Sequence, residues 1–242
     1  MEFYLALKDK FYDLVKNNNL ENATIMIETK SLKPIEAIGT TERTDYPILT
    51  GKEVLMNAYF EGCVGQAFTN EPSSFKGTIK DVINLELNNN KNRAIFIAVL
   101  NATLKYLGLI EKTIHCKNES PEICAEKYAM HIKEAYGDVK IGLVGFQPAI
   151  LDRLRKDFDI RALDLDKNNI GKEKYNVTIE DGEKDFKDVL DWADIILVTG
   201  STIVNGTVTN FMNLNKDVIF YGTTIAGVAY LEKMNRLCFC AE

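Results

Sequence analysis

Histidine, proline and tryptophan are scarce in this chain of 242 residues, which holds two, five and one of them. With only His115 and His131 present, an imidazole base has two candidates, and no Ser-His-Asp or Cys-His order stands out. Paired C-x-x-C and H-E-x-x-H zinc signatures are missing, as is the G-x-G-x-x-G turn of dinucleotide sites. Base is in deficit too: 29 Lys and Arg stand against 35 Asp and Glu, a net charge of -6. That balance argues against a nucleic-acid or anionic-membrane surface, either of which needs clustered Lys and Arg. The expected partner is a small molecule, neutral or cationic, or an anion held by backbone N–H groups. No apolar run reaches membrane length, because the most apolar stretch, Arg93 to Ile110, is broken by Asn101 and Lys105. The five cysteines are an odd number, which reads as free thiols rather than a disulfide framework.

What is present is ordinary globular composition, 46% hydrophobic and 26% charged. Phe3, Leu7, Phe11 and Leu14 recur at helical spacing among charges, so the chain starts as an amphipathic helix rather than a cleavable signal, and a cytoplasmic location is expected. From about residue 20 to 70, short strand-like runs follow one another: A-T-I-M-I-E, P-I-E-A-I-G, E-V-L-M-N-A-Y-F and C-V-G-Q-A-F-T. Two helices follow, one from Arg93 to about Gly108 and apolar on most sides, one opening at Ser120-Pro121-Glu122 with Ser as cap and closing at Gly137. Strands and then helices predict a small α+β domain over residues 1–137.

Beyond Gly137 the rhythm becomes alternation. Strands are expected at 139–144, 160–166, 194–198, 217–221 and 237–240, with helices at 148–158, 186–192, 208–214 and 225–234. Apolar strands taking turns with helices predict a parallel sheet covered on both faces, a Rossmann-like α/β domain over residues 138–242.

In such a sheet ligands bind where the strand order reverses, outside the carboxyl ends of the strands. The first strand of this half ends G-L-V-G-F-Q-P, which offers Gly145 and Phe146, and a later strand ends T-G-S-T-I-V-N-G-T, Thr199 to Thr207. If the order is the usual one, the two loops share a cleft. Glycines there let backbone approach a ligand, and the hydroxyls can bond a carboxylate, a phosphate or a heterocycle edge. The competing reading is that Ser, Thr and Asn only cap a helix and make a turn. Asp164 and Asp166 close the second strand, where an acid can accept from a ribose hydroxyl, and strand alternation lets at most one of them face the cleft. Cys238 and Cys240 would share one strand face, and His115, Cys116 and Cys124 add N and S donors, though no spacing matches a strong zinc pattern and cysteine is often a buried hydrophobe. Asn101 sits in an apolar helix, where a buried amide must find backbone or ligand partners.

Taken together, G-S-T-I-V-N-G-T after A-D-I-I-L-V-T, V-G-F-Q-P after the first strand of its half, and N-R-A-I-F-I-A-V-L-N-A in a helix resemble a prokaryotic family of unknown function labelled "putative heavy-metal chelation". The segment G-Q-A-F-T matches it more loosely. The resemblance implies an enolase-N-terminal-like α+β domain joined to the Rossmann-like one, with a site at the junction. It places Gly200, Ser201, Thr202, Asn205, Gly206 and Thr207 in that site, with Arg93 and Asn101 nearby. Where the family tends to carry a Gly-Pro-Ser-Thr-Pro-like loop, this chain has Gly222-Thr223-Thr224-Ile225-Ala226, which keeps hydroxyls and loses both prolines. The function expected is binding of a small polar metabolite in the interdomain cleft, linked to heavy-metal chelation or to synthesis of pterin-, flavin- or chelator-type compounds. The alternatives are a non-catalytic metal-handling protein and a nucleotide- or S-adenosylmethionine-dependent enzyme. No catalytic residue or metal ligand is assigned. The cofactor class left open is a metal ion or a metal-chelating small molecule, and a homodimer is a base-rate expectation.

Overall fold

Tyr4, Leu7, Phe11 and Val15 recur at helical spacing, and α1 (Glu2–Asn17) buries all four in the computed structural model, which describes residues 2–28, 34–50 and 53–242. The stripe therefore runs one residue off the expected Phe3 and Leu14, which are only partly buried. The strands β1 (Thr24–Glu28), β2 (Val54–Phe60), β3 (Cys63–Thr69) and β4 (Phe75–Thr78) form an antiparallel sheet in the order β3-β2-β1-β4. The run P-I-E-A-I-G, expected as a strand, is instead the short helix α2 (Pro34–Ile38). Proline's fixed φ suits a first helical turn, and both edges of β1 are already taken by β2 and β4. The turn of helix α3 (Ile79–Ile83) was not foreseen; the reciprocal capping box of Thr78 and Asp81 starts it.

Helix α4 (Asn90–Tyr106) is capped by Asn89, whose side chain accepts from Asn92 N. Every residue from Ala94 to Leu104 is buried, because the helix lies between two layers. One face packs on β2 and β3, and the other meets two helices of the second half described below. Helix α5 (Ser120–Tyr136) ends at Gly137 with φ 74, while its first turn begins after Glu119 with no side-chain cap, so Ser120 is a helical residue rather than the cap.

The second half begins with β5 (Ile141–Val144), α6 (Pro148–Leu154) and β6 (Ile160–Asp164). A hairpin of β7 (Glu173–Lys174) and β8 (Val177–Asp181) then stands where no element was expected. Its two-residue loop, Tyr175 and Asn176, has φ of 53 and 61, the positive values that a tight hairpin needs. The chain continues through α7 (Phe186–Trp192), β9 (Ile195–Thr199), α8 (Thr202–Asn205), a 3-10 turn at Val208–Phe211, β10 (Asp217–Tyr221), α9 (Ala226–Leu231) and β11 (Arg236–Leu237). The seven-stranded sheet has the order β11-β10-β9-β5-β6-β8-β7, parallel except for β7. Its parallel strands follow the doubly wound order, with the reversal between β5 and β9. The fold is mixed α/β, as expected.

The last strand is shorter than anticipated. Its only pairs are Phe220 with Arg236 and Tyr221 with Leu237, because β10 turns away at Gly222, φ 95. Cys238 and Cys240 thus lie beyond β11, not on one strand face. Among the described residues no helix is long and apolar enough to cross a membrane. The two sheets share a core, in which Phe96 and Leu100 of α4 join Val198 of β9, Ile203 of α8 and Val228 of α9. Tyr4 reinforces it, its hydroxyl donating to Ile203 O at 2.7 Å.

Candidate functional site

The reversal between β5 and β9 opens a crevice, and the antiparallel sheet covers it. The result is a cavity of about 900 Å³, the size of a small-molecule site. Its floor is made by strand ends: Gly145 and Phe146 after β5, Asp164 to Asp166 at β6, Thr199 to Thr202 at β9, and Tyr221 to Thr224 at β10. Its roof comes from the first half, with Tyr46, Glu53, Phe68, His115 and Tyr128.

The two loops singled out from the sequence do meet. A Cβ on Gly145, φ 88, would stand 2.6 Å from Thr199 Cγ2, so only glycine fits this contact. Gly200 is equally constrained, since a Cβ there would lie 2.9 Å from Ile225 N. Much of the hydroxyl-rich loop is spent on itself. Thr202 Oγ1 donates to Thr199 O at 2.8 Å, and Asn205 Oδ1 accepts from Thr207 N at 3.0 Å and Thr207 Oγ1 at 2.7 Å. Ser201 heads α8 with no side-chain cap bond. Thr199, Gly200, Ser201, Thr202, Asn205 and Thr207 border the cavity, as do Gly145, Phe146, Asp164, Asp166, Gly222 and Thr223.

Three sequence candidates lie behind the wall instead. Arg93 spends its guanidinium on Val204 O at 2.6 Å, Leu87 O at 3.1 Å and Asn90 Oδ1 at 2.7 Å. Gly206, φ 89, closes α8 and faces that guanidinium. Asn101 is fully buried and donates to Gln66 O, Thr223 O and Thr224 O while accepting from Gly227 N at 2.7 Å. Its amide is saturated by backbone, so it holds the Thr223–Thr224 wall rather than reaching into the cavity.

Glu53 was not anticipated. It precedes β2 and faces Asp164 and Asp166 from across the chain; burial first, then those two carboxylates, push its carboxyl from 4.5 up to about 7. The folded state therefore binds more protons than the unfolded chain between pH 4.5 and 7, and stability contributed by this group falls as pH rises through that window. Glu53→Gln should stabilise the fold at pH 8 by about 2 kcal/mol and give no gain at pH 4. Urea unfolding at the two pH values checks this, and an equal effect at both would exclude an elevated carboxyl. His115 behaves oppositely: burial lowers it from 6.5 to about 4, which leaves the imidazole neutral, and its Nδ1 is buried without a partner.

Asp164 Oδ1 accepts from Leu165 N at 2.6 Å and Asp166 N at 3.0 Å, and its Oδ2 from Asn169 Nδ2 at 2.7 Å. Asp166 lies past the end of β6, so strand alternation no longer separates the two acids and both border the cavity. At the other end Cys116, Cys124 and Cys238 approach the cavity beside Tyr128. Burial pushes Cys124 up to about 12 and Cys116 upward as well. Among the described residues no group of three or more His, Cys, Asp or Glu could hold a metal ion.

Residues 129–230 match the DUF364 family, described as "Putative heavy-metal chelation". A DUF364 protein of unknown function from Pyrococcus horikoshii has a similar crystal structure, with a TM-score of 0.50 and 14% identity over 90% of this chain and 79% of that one. Another, from Desulfitobacterium hafniense, aligns with a TM-score of 0.49 and 12% identity over 74% of this chain and 72% of that one. At 14% identity the likeness to the first concerns the fold alone. No curated protein matches the chain.

Proposed function

We propose that this chain, whose residues 129–230 match the DUF364 family, binds a small polar metabolite in the cavity between its two sheets. The observation that carries the reading is the position of the cavity. It lies at the strand-order reversal, where open parallel sheets hold ligands, and the Gly145 and Thr199–Thr207 loops both border it. Thr223 belongs to the same wall, and its hydroxyl is sealed from solvent with no hydrogen-bond partner among the described residues.

Native mass spectrometry of protein purified without chelator, repeated after denaturation, tests this. A bound organic mass lost on denaturation is the expected result. Ser201→Ala combined with Asn205→Ala should weaken retention of that mass at least tenfold, about 1.4 kcal/mol. Unchanged retention in the double variant would remove the loop from the site, and a metal mass instead of an organic one would favour a metal-handling protein.

A further inference from the structure

Four of the five cysteines, Cys116, Cys124, Cys238 and Cys240, converge where the end of the chain crosses α5, and all are free thiols. Tyr128 marks the crossing. Its hydroxyl donates to Leu237 O, and its ring stands edge-on to that of Phe239, with centroids 5.0 Å apart. Cys238 is therefore held between two contacts with one side chain. Cys124 lies one helical turn before Tyr128 on the same buried face of α5, and Cys124 and Cys238 both border the cavity. The backbone N–H groups of Phe239 and Cys240 reach the Cys124 sulfur, and Cys238 is the thiol that acts on it most strongly. Anchors fix this segment at either end. Arg236 donates from Nε to Gly222 O at 2.9 Å and from Nη2 to Lys112 O at 2.7 Å, and Ile114 exchanges two backbone bonds with Glu242, at 2.8 and 2.9 Å.

We propose that Cys124 and Cys238 are a reversible redox pair, whose disulfide ties α5 of the first half to the segment after β11 in the second and locks the two halves beside the cavity. The inference does not depend on what the cavity binds. Access divides the roles of the two thiols. Cys238 is half-buried and open to a small oxidant, whereas Cys124 is 8% exposed and burial keeps it protonated. Hydrogen peroxide converts the Cys238 thiol to a sulfenic acid, the O–O bond breaking as one oxygen goes to sulfur and the other leaves as water. The Cys124 sulfur then attacks the Cys238 sulfur. The S–S bond forms, the S–O bond breaks, and the Cys124 proton leaves with the hydroxyl as a second water. A dithiol reductant returns both thiols and is itself oxidised to a disulfide. Among the described residues the sulfurs do not form a group that could hold a metal ion, whereas a disulfide needs a single pair.

The chain, fully reduced and then treated with a small excess of hydrogen peroxide, tests this by intact mass, peptide mapping and thermal melting. The mass should fall by two hydrogen atoms, and the map should join the peptides that carry Cys124 and Cys238. The melting midpoint should rise by about 5 °C or more, because a bond across so long a loop restricts the unfolded chain. Dithiothreitol should reverse all three changes. Cys238→Ser, at a half-buried position, should melt within about 2 °C of the reduced wild type and lose both the join and the rise. Cys63→Ser and Cys240→Ser should keep them. Joining of Cys124 to Cys116 or Cys240 instead overturns the pairing, as does oxygen uptake with no cross-link or linkage only between chains. A Cys124–Cys238 join with no rise in midpoint overturns the lock. Mapping is carried out on the wild type, so the pairing is decided even where a variant does not fold.

Discussion

Replacing Asn101 by leucine should destabilise the protein by about 3–5 kcal/mol, although the two side chains are close in size and the site is apolar around them. The cost arises from what the amide leaves behind. Gln66 O at 2.9 Å, Thr223 O at 3.3 Å, Thr224 O at 3.1 Å and Gly227 N at 2.7 Å all converge on one fully buried side chain. Leucine satisfies none of them, and no water reaches the position to replace it. Because the partners lie in β3 and in the loop and helix that follow β10, the loss should also loosen the Thr223–Thr224 wall of the cavity. Urea unfolding monitored by far-UV and near-UV circular dichroism measures the stability. Retention of the bound mass measures the wall. A loss under about 1 kcal/mol would mean that the four backbone groups have other partners.

A larger effect is expected from Gly65→Ala, which should cost more than about 4 kcal/mol or abolish soluble expression. The added Cβ would sit 2.2 Å from Ala102 N and 2.3 Å from Ala98 O. Both are helix backbone, so no rotamer change relieves the clash, and α4 would have to lift off β3. The same lift would stretch the Asn101 bond to Gln66, the neighbour of Gly65, which makes the two substitutions non-additive. A double variant less destabilised than the sum is the expected sign of this shared contact. Melting of Gly65→Ala within a few degrees of the wild type would show that α4 does not lie on β3 as described.

The carboxylate at Glu53 illustrates why a binding wall can be poor for stability. Its ionised form is disfavoured by burial and by two neighbouring acids, so a carboxylate at this wall lowers stability once it ionises. Glu53→Gln should thus make the fold more stable at pH 8. His115, lowered to about 4, opposes this dependence below pH 6.5, so the signature of Glu53 is cleanest above that pH.

How far the site was legible in the sequence depends on distance along the chain. Thr199 to Thr207 could be singled out because the hydroxyls are consecutive and follow an apolar strand. Asn101 stood out as an amide within an apolar helix, and its choice between backbone and ligand was left open. Glu53 gave no signal, being one acid among 35 Asp and Glu, and only folding brings it opposite Asp164 and Asp166. Likewise Pro34–Ile38 is as apolar as a strand, and the decision for helix came from the occupied edges of β1.

By itself the sequence determined the α/β alternation, the parallel sheet of the second half and the loops at its strand ends, because these follow from local apolar periodicity and from turn residues. The tertiary structure alone decided which side chains meet in the cavity, which amide is saturated by backbone, and which carboxylate loses its water. Those outcomes depend on contacts between residues far apart in the chain and on the low dielectric of the cavity that the two sheets enclose.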